Sequence, residues 1–115
     1  MTDPNDRQDW PIEVEPGWVQ QRMDRGDALH LLDVREEWER DISLIRGSFH
    51  IPMGEIAQRL DEVPQDKPVV VICRVGGRSG QVVQALRGQG FENVINLAGG
   101  TNRWAAEIDP EMESY

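Results

Sequence analysis

Residues 68–80 read PVVVICRVGGRSG. Val69, Val70, Val71 and Ile72 form an unbroken β-branched run, the pattern of a central strand covered on both faces in a parallel sheet. At Cys73 the run ends, and CRVGGRS follows, rich in glycine and arginine. Cys73 is the only cysteine in the chain. It is either a small hydrophobe packed at a strand end or a nucleophile presented in an anion-binding loop.

On either side of this strand the chain alternates short apolar strands with helical segments. Upstream, a strand near Ile12 to Val14 leads into a helix opened by Pro16 and closed before Gly26. ALHLLDV (28–34) reads as a second buried strand, REEWER (35–40) as a short helix and SFHIP (48–52) as a strand stopped by proline. Met53, Ile56, Leu60 and Val63 recur at helical spacing. Downstream, SGQVVQALRGQG (79–90) predicts a helix starting near Ser79 with Val82, Ala85 and Leu86 inward. NVINL (93–97) is a further strand, and Gly99-Gly100 turns the chain into a last helix with Trp104 and Ile108 facing in. Such alternation predicts an α/β fold with a parallel sheet and helices on both faces.

The 115 residues allow one compact domain. Residues 1–10 read as a polar lead-in, 11–108 as the domain and 109–115 as an acidic tail after Asp109-Pro110. A formal net charge of −9 argues against nucleic acid or anionic lipid as a partner. No run approaches the ~18 apolar residues of a membrane span, and MTDPNDRQDW lacks the pattern of a signal peptide. A cytoplasmic location is the expectation. One cysteine makes neither an internal disulfide nor a multi-cysteine metal site, so chemistry at Cys73 must be completed by an outside nucleophile.

A residue at the carboxyl end of a central parallel strand lies where open α/β sheets bind ligands. Arg74, Val75, Gly76, Gly77 and Arg78 can curl so that backbone N–H groups converge, with the two glycines supplying left-handed conformations. The following helix adds its positive end, Arg74 and Arg78 add two charges, and Ser79 can cap the helix or donate to sulfur. All of these favour thiolate over thiol. A packing position needs neither φ > 0 residues nor cations. GGRSG lacks the lysine of a Walker loop, and the glycine spacing is not GxGxxG. Four residues separate Cys73 from Arg78, one fewer than in the Cys-x5-Arg loop of cysteine-dependent phosphatases.

LLDVREEWE (31–39), GSFHIPMGEI (47–56), VVVICRVGGRSGQVVQAL (69–86), GF (90–91) and NLAGGTNRW (96–104) together resemble the rhodanese family of sulfurtransferases, across about residues 12 to 106. The resemblance implies a three-layer α/β/α domain with a five-stranded parallel sheet. It also implies a sulfurtransferase in which Cys73 takes a sulfane sulfur from a small anionic donor such as thiosulfate. The resulting persulfide passes the sulfur to cyanide, a thiol or a protein, with no metal and no organic cofactor. Arg74 through Ser79 would bind the substrate, and Asp33 and Arg35 would support the loops. SLIRG (43–47) stands where many relatives carry Gly-His-Ile, a departure expected to alter an edge or partner surface more than the chemistry.

His30, His50, Trp38 and Trp104 read as structural or rim residues, while Glu36, Glu37, Glu39, Glu111 and Glu113 read as solvated faces. Competing functions are a non-catalytic rhodanese-like binding or sulfur-carrier module and, less favoured by the loop length, a phosphatase or arsenate reductase.

Overall fold

The computed structural model describes residues 10–115. Of the expected lead-in, 1–9 lie outside the described residues, and Trp10 packs against an apolar cluster of the domain. Five strands, β1 (Glu13–Val14), β2 (His30–Asp33), β3 (Phe49–His50), β4 (Val69–Ile72) and β5 (Val94–Leu97), form one sheet. Their order is β1-β5-β4-β2-β3, and every pairing is parallel. Helices α1 (Pro16–Asp24), α2 (Glu37–Ile42), α3 (Gly77–Gly88) and α4 (Gly100–Glu107) join them. No helix among the described residues is long and apolar enough to cross a membrane.

β4 is central, and each of its four residues is at most 1% exposed. Side chains alternate across a strand, so Val69 and Val71 join one apolar cluster and Val70 and Ile72 another. The first cluster takes Val82, Val83 and Leu86 from α3, and the second takes Val19 from α1 and Trp104 from α4. The predicted two-sided cover of the Val-Val-Val-Ile run is thereby met.

Two local readings are revised. Residues 53–63 form two 3₁₀ turns, Met53–Gln58 and Leu60–Glu62, where an α-helix was expected. Met53 and Ile56, like Leu60 and Val63, are three apart, and residues three apart align in a 3₁₀ helix. α3 begins at Gly77 instead of near Ser79, and its buried stripe is Ser79, Val82, Val83 and Leu86, with Ala85 exposed. That i, i+3, i+4, i+7 set turns Ser79 into the core. Within 43–47, Ile45 is buried in the second cluster and Leu44 is exposed.

Residues 109–115, read from composition as a tail, fold back on the domain: Met112 packs against the second cluster. Leu32→Ala, which empties a fully buried site on β2, should cost about 2–5 kcal/mol in urea denaturation. Ile12→Ala, at a residue that is 44% exposed, should stay within about 0.5 kcal/mol of the parent.

Candidate active site

The face of β4 that carries Val69 and Val71 also carries Cys73, which is 1% exposed. Helix α4 shapes the loop that follows. The Thr101 amide donates to the Cys73 carbonyl at 2.9 Å and the Asn102 amide to the Arg74 carbonyl at 3.1 Å. Orphan amides of a helix N-terminus are thereby satisfied by the loop. In a trans peptide the N–H points opposite to the C=O, so the Arg74 and Val75 amides are directed away from α4. Gly100 permits this approach: a Cβ there would lie 2.3 Å from the Cys73 carbonyl oxygen and 2.4 Å from Arg74 backbone atoms.

Two donors reach the sulfur. The Gly76 amide lies 3.1 Å from Cys73 Sγ and the Ser79 hydroxyl 3.2 Å from it. Gly76 has φ +104°, whereas Gly77 is the first residue of α3 and lacks the left-handed conformation expected of both glycines. Ser79 Oγ is also 2.5 Å from Asn96 Oδ1, so its single proton has two acceptors. Asn96, buried on β5, donates through Nδ2 to Glu13 at 2.8 Å and to the Gly76 carbonyl at 3.1 Å. One buried amide thus braces both donors to sulfur.

The two loop arginines are in different states. Arg78 is clamped on Glu39 by two 2.7 Å hydrogen bonds. Arg74 has no ion-pair partner among the described residues, and its guanidinium carbon sits 4.9 Å from the Tyr115 ring centroid. The exposed Val75 forms the outer bend of the loop.

Glu39, read as part of a solvated face, is 2% exposed. Its carboxylate accepts from Arg78, from the Glu36 amide at 2.8 Å and from the Tyr115 hydroxyl at 2.9 Å. The Arg78 hydrogen bonds, opposed by burial and aided by the Glu36 amide, bring the Glu39 carboxyl down to about 2. Glu39 in return raises Arg78 further above the ordinary arginine range. Burial raises the Tyr115 phenol, and the neighbouring carboxylate does so too, which keeps the hydroxyl a donor.

Asp33 and Arg35 lie beneath this layer as a buried ion pair at 2.8 Å. Arg35 donates onward to the Ser43 carbonyl at 2.6 Å and to the Tyr115 hydroxyl at 2.8 Å. His50 Nε2 is 2.6 Å from the Arg35 carbonyl, and His30 pairs with Asp66 at 3.2 Å. Trp104 is buried in the core, while Trp38 is 61% exposed with its ring edge-to-face on Tyr115. No group of three or more metal-ligating side chains occurs among the described residues.

Sequence reasoning missed Asn96, Glu39 and Tyr115. A polar residue inside the buried VINL strand signals an internal hydrogen bond, and this marks Asn96. Glu36 and Glu39 are three apart, the spacing of a capping box, which they form at the start of α2. Nothing local marks Tyr115.

A five-stranded parallel sheet with a lone cysteine after its central strand, under a short amide-lined loop, is the arrangement that the LLDVREEWE and CRVGGRS segments anticipated. The family model for the Rhodanese-like domain matches residues 15–107. The chain belongs to that family. The putative sulfurtransferase YtwF of Bacillus subtilis is 35% identical over 99 residues, spanning 86% of this chain and 95% of that protein. The putative sulfur carrier protein YrkF of the same organism is 34% identical over 97 residues, and the match spans 84% of this chain but only 52% of YrkF. Among solved structures, the human single-domain sulfurtransferase TSTD1 superposes with a TM-score of 0.74 at 26% identity, covering 85% of this chain and 98% of that one. The single cysteine of this rhodanese-like chain fits a persulfide nucleophile.

Gly100→Ala forces a methyl group into backbone atoms that cannot yield, at φ +59°. It should cost on the order of 2–4 kcal/mol in chemical denaturation. Glu39→Gln removes a carboxylate whose folded value lies near 2 against an ordinary 4.5. A depressed carboxyl stabilises the fold above its unfolded value, and that contribution fades as pH falls toward the folded value. The variant should therefore be less stable than the parent at pH 7 by on the order of 2–3 kcal/mol, toward the low end because Arg78 is partly solvated. Denaturation midpoints followed from pH 5 to about 2 should show the difference shrinking.

Proposed function

We propose that the protein is a thiosulfate-type sulfurtransferase working through a Cys73 persulfide. The observation that carries this reading is the set of groups around Sγ: the Gly76 amide and the Ser79 hydroxyl, whose proton is shared with Asn96 Oδ1, with no general base bonded to the sulfur among the described residues. Hydrogen-bond donors alone suit an anionic sulfur. In the first half-reaction the Cys73 thiolate attacks the outer sulfur of thiosulfate. A sulfur–sulfur bond forms at Cys73, the one in thiosulfate breaks, and sulfite departs with the electron pair. In the second, an acceptor nucleophile attacks the outer sulfur of the persulfide, and the bonding pair returns to Cys73 as thiolate. Cyanide leaves as thiocyanate and a thiol as a persulfide.

The roles follow from position. Gly76 and Ser79 hold the charge on sulfur, and the Arg74 and Val75 amides, turned from α4, extend the cradle toward the added atom. Gly77 starts the helix whose positive end faces the site. Because Arg78 is neutralised by Glu39, Arg74 is the charge available to draw an anionic donor. Asp33 and Arg35 tie the loop from 33 to 43 beneath. A protein acceptor in place of cyanide uses the same persulfide, so a carrier role, as YrkF is named for, lies within this chemistry.

Intact-mass measurement checks the proposal. Thiosulfate should add one sulfur atom to the protein, cyanide should remove it, and Cys73→Ala should take up none. Absence of any adduct on the parent protein would sink the reading.

A further inference from the structure

Tyr115 is held at the site by more than its side chain. Its amide donates to Asn102 Oδ1 at 3.1 Å, and Asn102 Nδ2 donates to the Tyr115 main-chain oxygen at 3.4 Å. The amide of the same Asn102 holds the Arg74 carbonyl. One residue of α4 therefore sets the register between the cysteine loop and the segment that returns from Asp109. The Tyr115 hydroxyl then accepts from Arg35 and donates to Glu39, which pins the ring in place.

That ring lies under the guanidinium of Arg74, within the ~6 Å at which an aromatic face attracts a cation. The other arginines around the site are matched by carboxylates: Arg35 and Arg40 by Asp33, and Arg78 by Glu39. A carboxylate under Arg74 would orient it and cancel its charge. An aromatic face orients a guanidinium and leaves the charge in place. An exposed arginine without such a partner samples many rotamers and presents its charge at the loop for only part of the time.

We infer that Tyr115 is a positioning residue that aims the uncancelled charge of Arg74 at anions approaching Cys73, and so favours anionic over neutral reagents at the sulfur. As a statement about thiosulfate it rests on the function proposed above. As a statement about anions at Cys73 it stands on the geometry of Arg74, Tyr115 and Asn102.

Because Cys73 is the only cysteine, alkylation of the full chain reads that sulfur alone. The rate ratio of iodoacetate to iodoacetamide, an anion and a neutral reagent of similar size, reports the guidance without any sulfur chemistry. In Tyr115→Leu the ratio should fall about 2- to 5-fold, the loss expected for an exposed cation–π contact, with the iodoacetamide rate unchanged. Tyr115→Phe, which keeps the ring, should stay within about 2-fold of the parent. Arg74→Gln should lower the ratio at least as far, and adding Tyr115→Leu to it should lower it no further.

An unchanged ratio in Tyr115→Leu overturns the inference, and so does a parallel change with both reagents, which is the mark of a merely structural role. A further fall in the double variant overturns it as well. Thiosulfate loading of the same proteins separates the two claims. If the parent takes up no sulfur yet the alkylation ratios behave as stated, the sulfurtransferase reading fails and the positioning role stands. If the parent is loaded and the ratios do not move, the reverse holds.

Discussion

The amides of Thr101 and Asn102 on the carbonyls of Cys73 and Arg74 tie the ends of two neighbouring strands together, and the geometry of the site follows from that tie. Without it the loop after β4 would have no reason to turn its amides inward. The tie exists because Gly100 has no side chain where the loop backbone passes, and because β4 and β5 are adjacent and parallel, so that both release their chains at the same edge of the sheet. Sheet order thus becomes loop chemistry through a single close contact.

Around the sulfur the charges are graded by burial. Asp33 and Arg35, deepest, are fully paired and act as framework, where an unpaired charge would be strongly destabilising. Glu39 is buried but meets a partly exposed Arg78, and it accepts hydrogen bonds from three residues at once. Arg74, outermost, has an aromatic face in place of a counter-ion. Among the described residues, only the last arrangement leaves a loop arginine without a carboxylate partner, in a chain whose formal net charge is −9.

Much of the fold was legible in residue order. The Val69–Ile72 run announced the central strand, and proline and glycine placed most element ends. Where reading failed, the cause was local ambiguity. Spacings of three and four suit both α and 3₁₀ geometry, as at 53–63, and Val82 and Leu86 belong to two overlapping stripes of α3, of which the one through Ser79 and Val83 faces the core and the one through Ala85 does not. The cysteine loop was legible because its residue types are contiguous: Cys73, Gly76 and Ser79 lie within one seven-residue stretch of sequence, 73–79, although the tie to α4 and the Asn96 brace that set its geometry come from elsewhere in the chain.

Glu39 and Tyr115 were illegible for the opposite reason. Glu39 sits in an acidic run whose members look alike until α2 packs one of them against Arg78, 39 residues away. Tyr115 meets Glu39 across 76 residues and Arg35 across 80. Short-range order decides strands, turns and the place of the cysteine at a strand end, because those rest on backbone preference and neighbouring side chains. Which arginine keeps its charge depends on partners that approach only when the sheet closes, so that property of the site belongs to the tertiary structure alone.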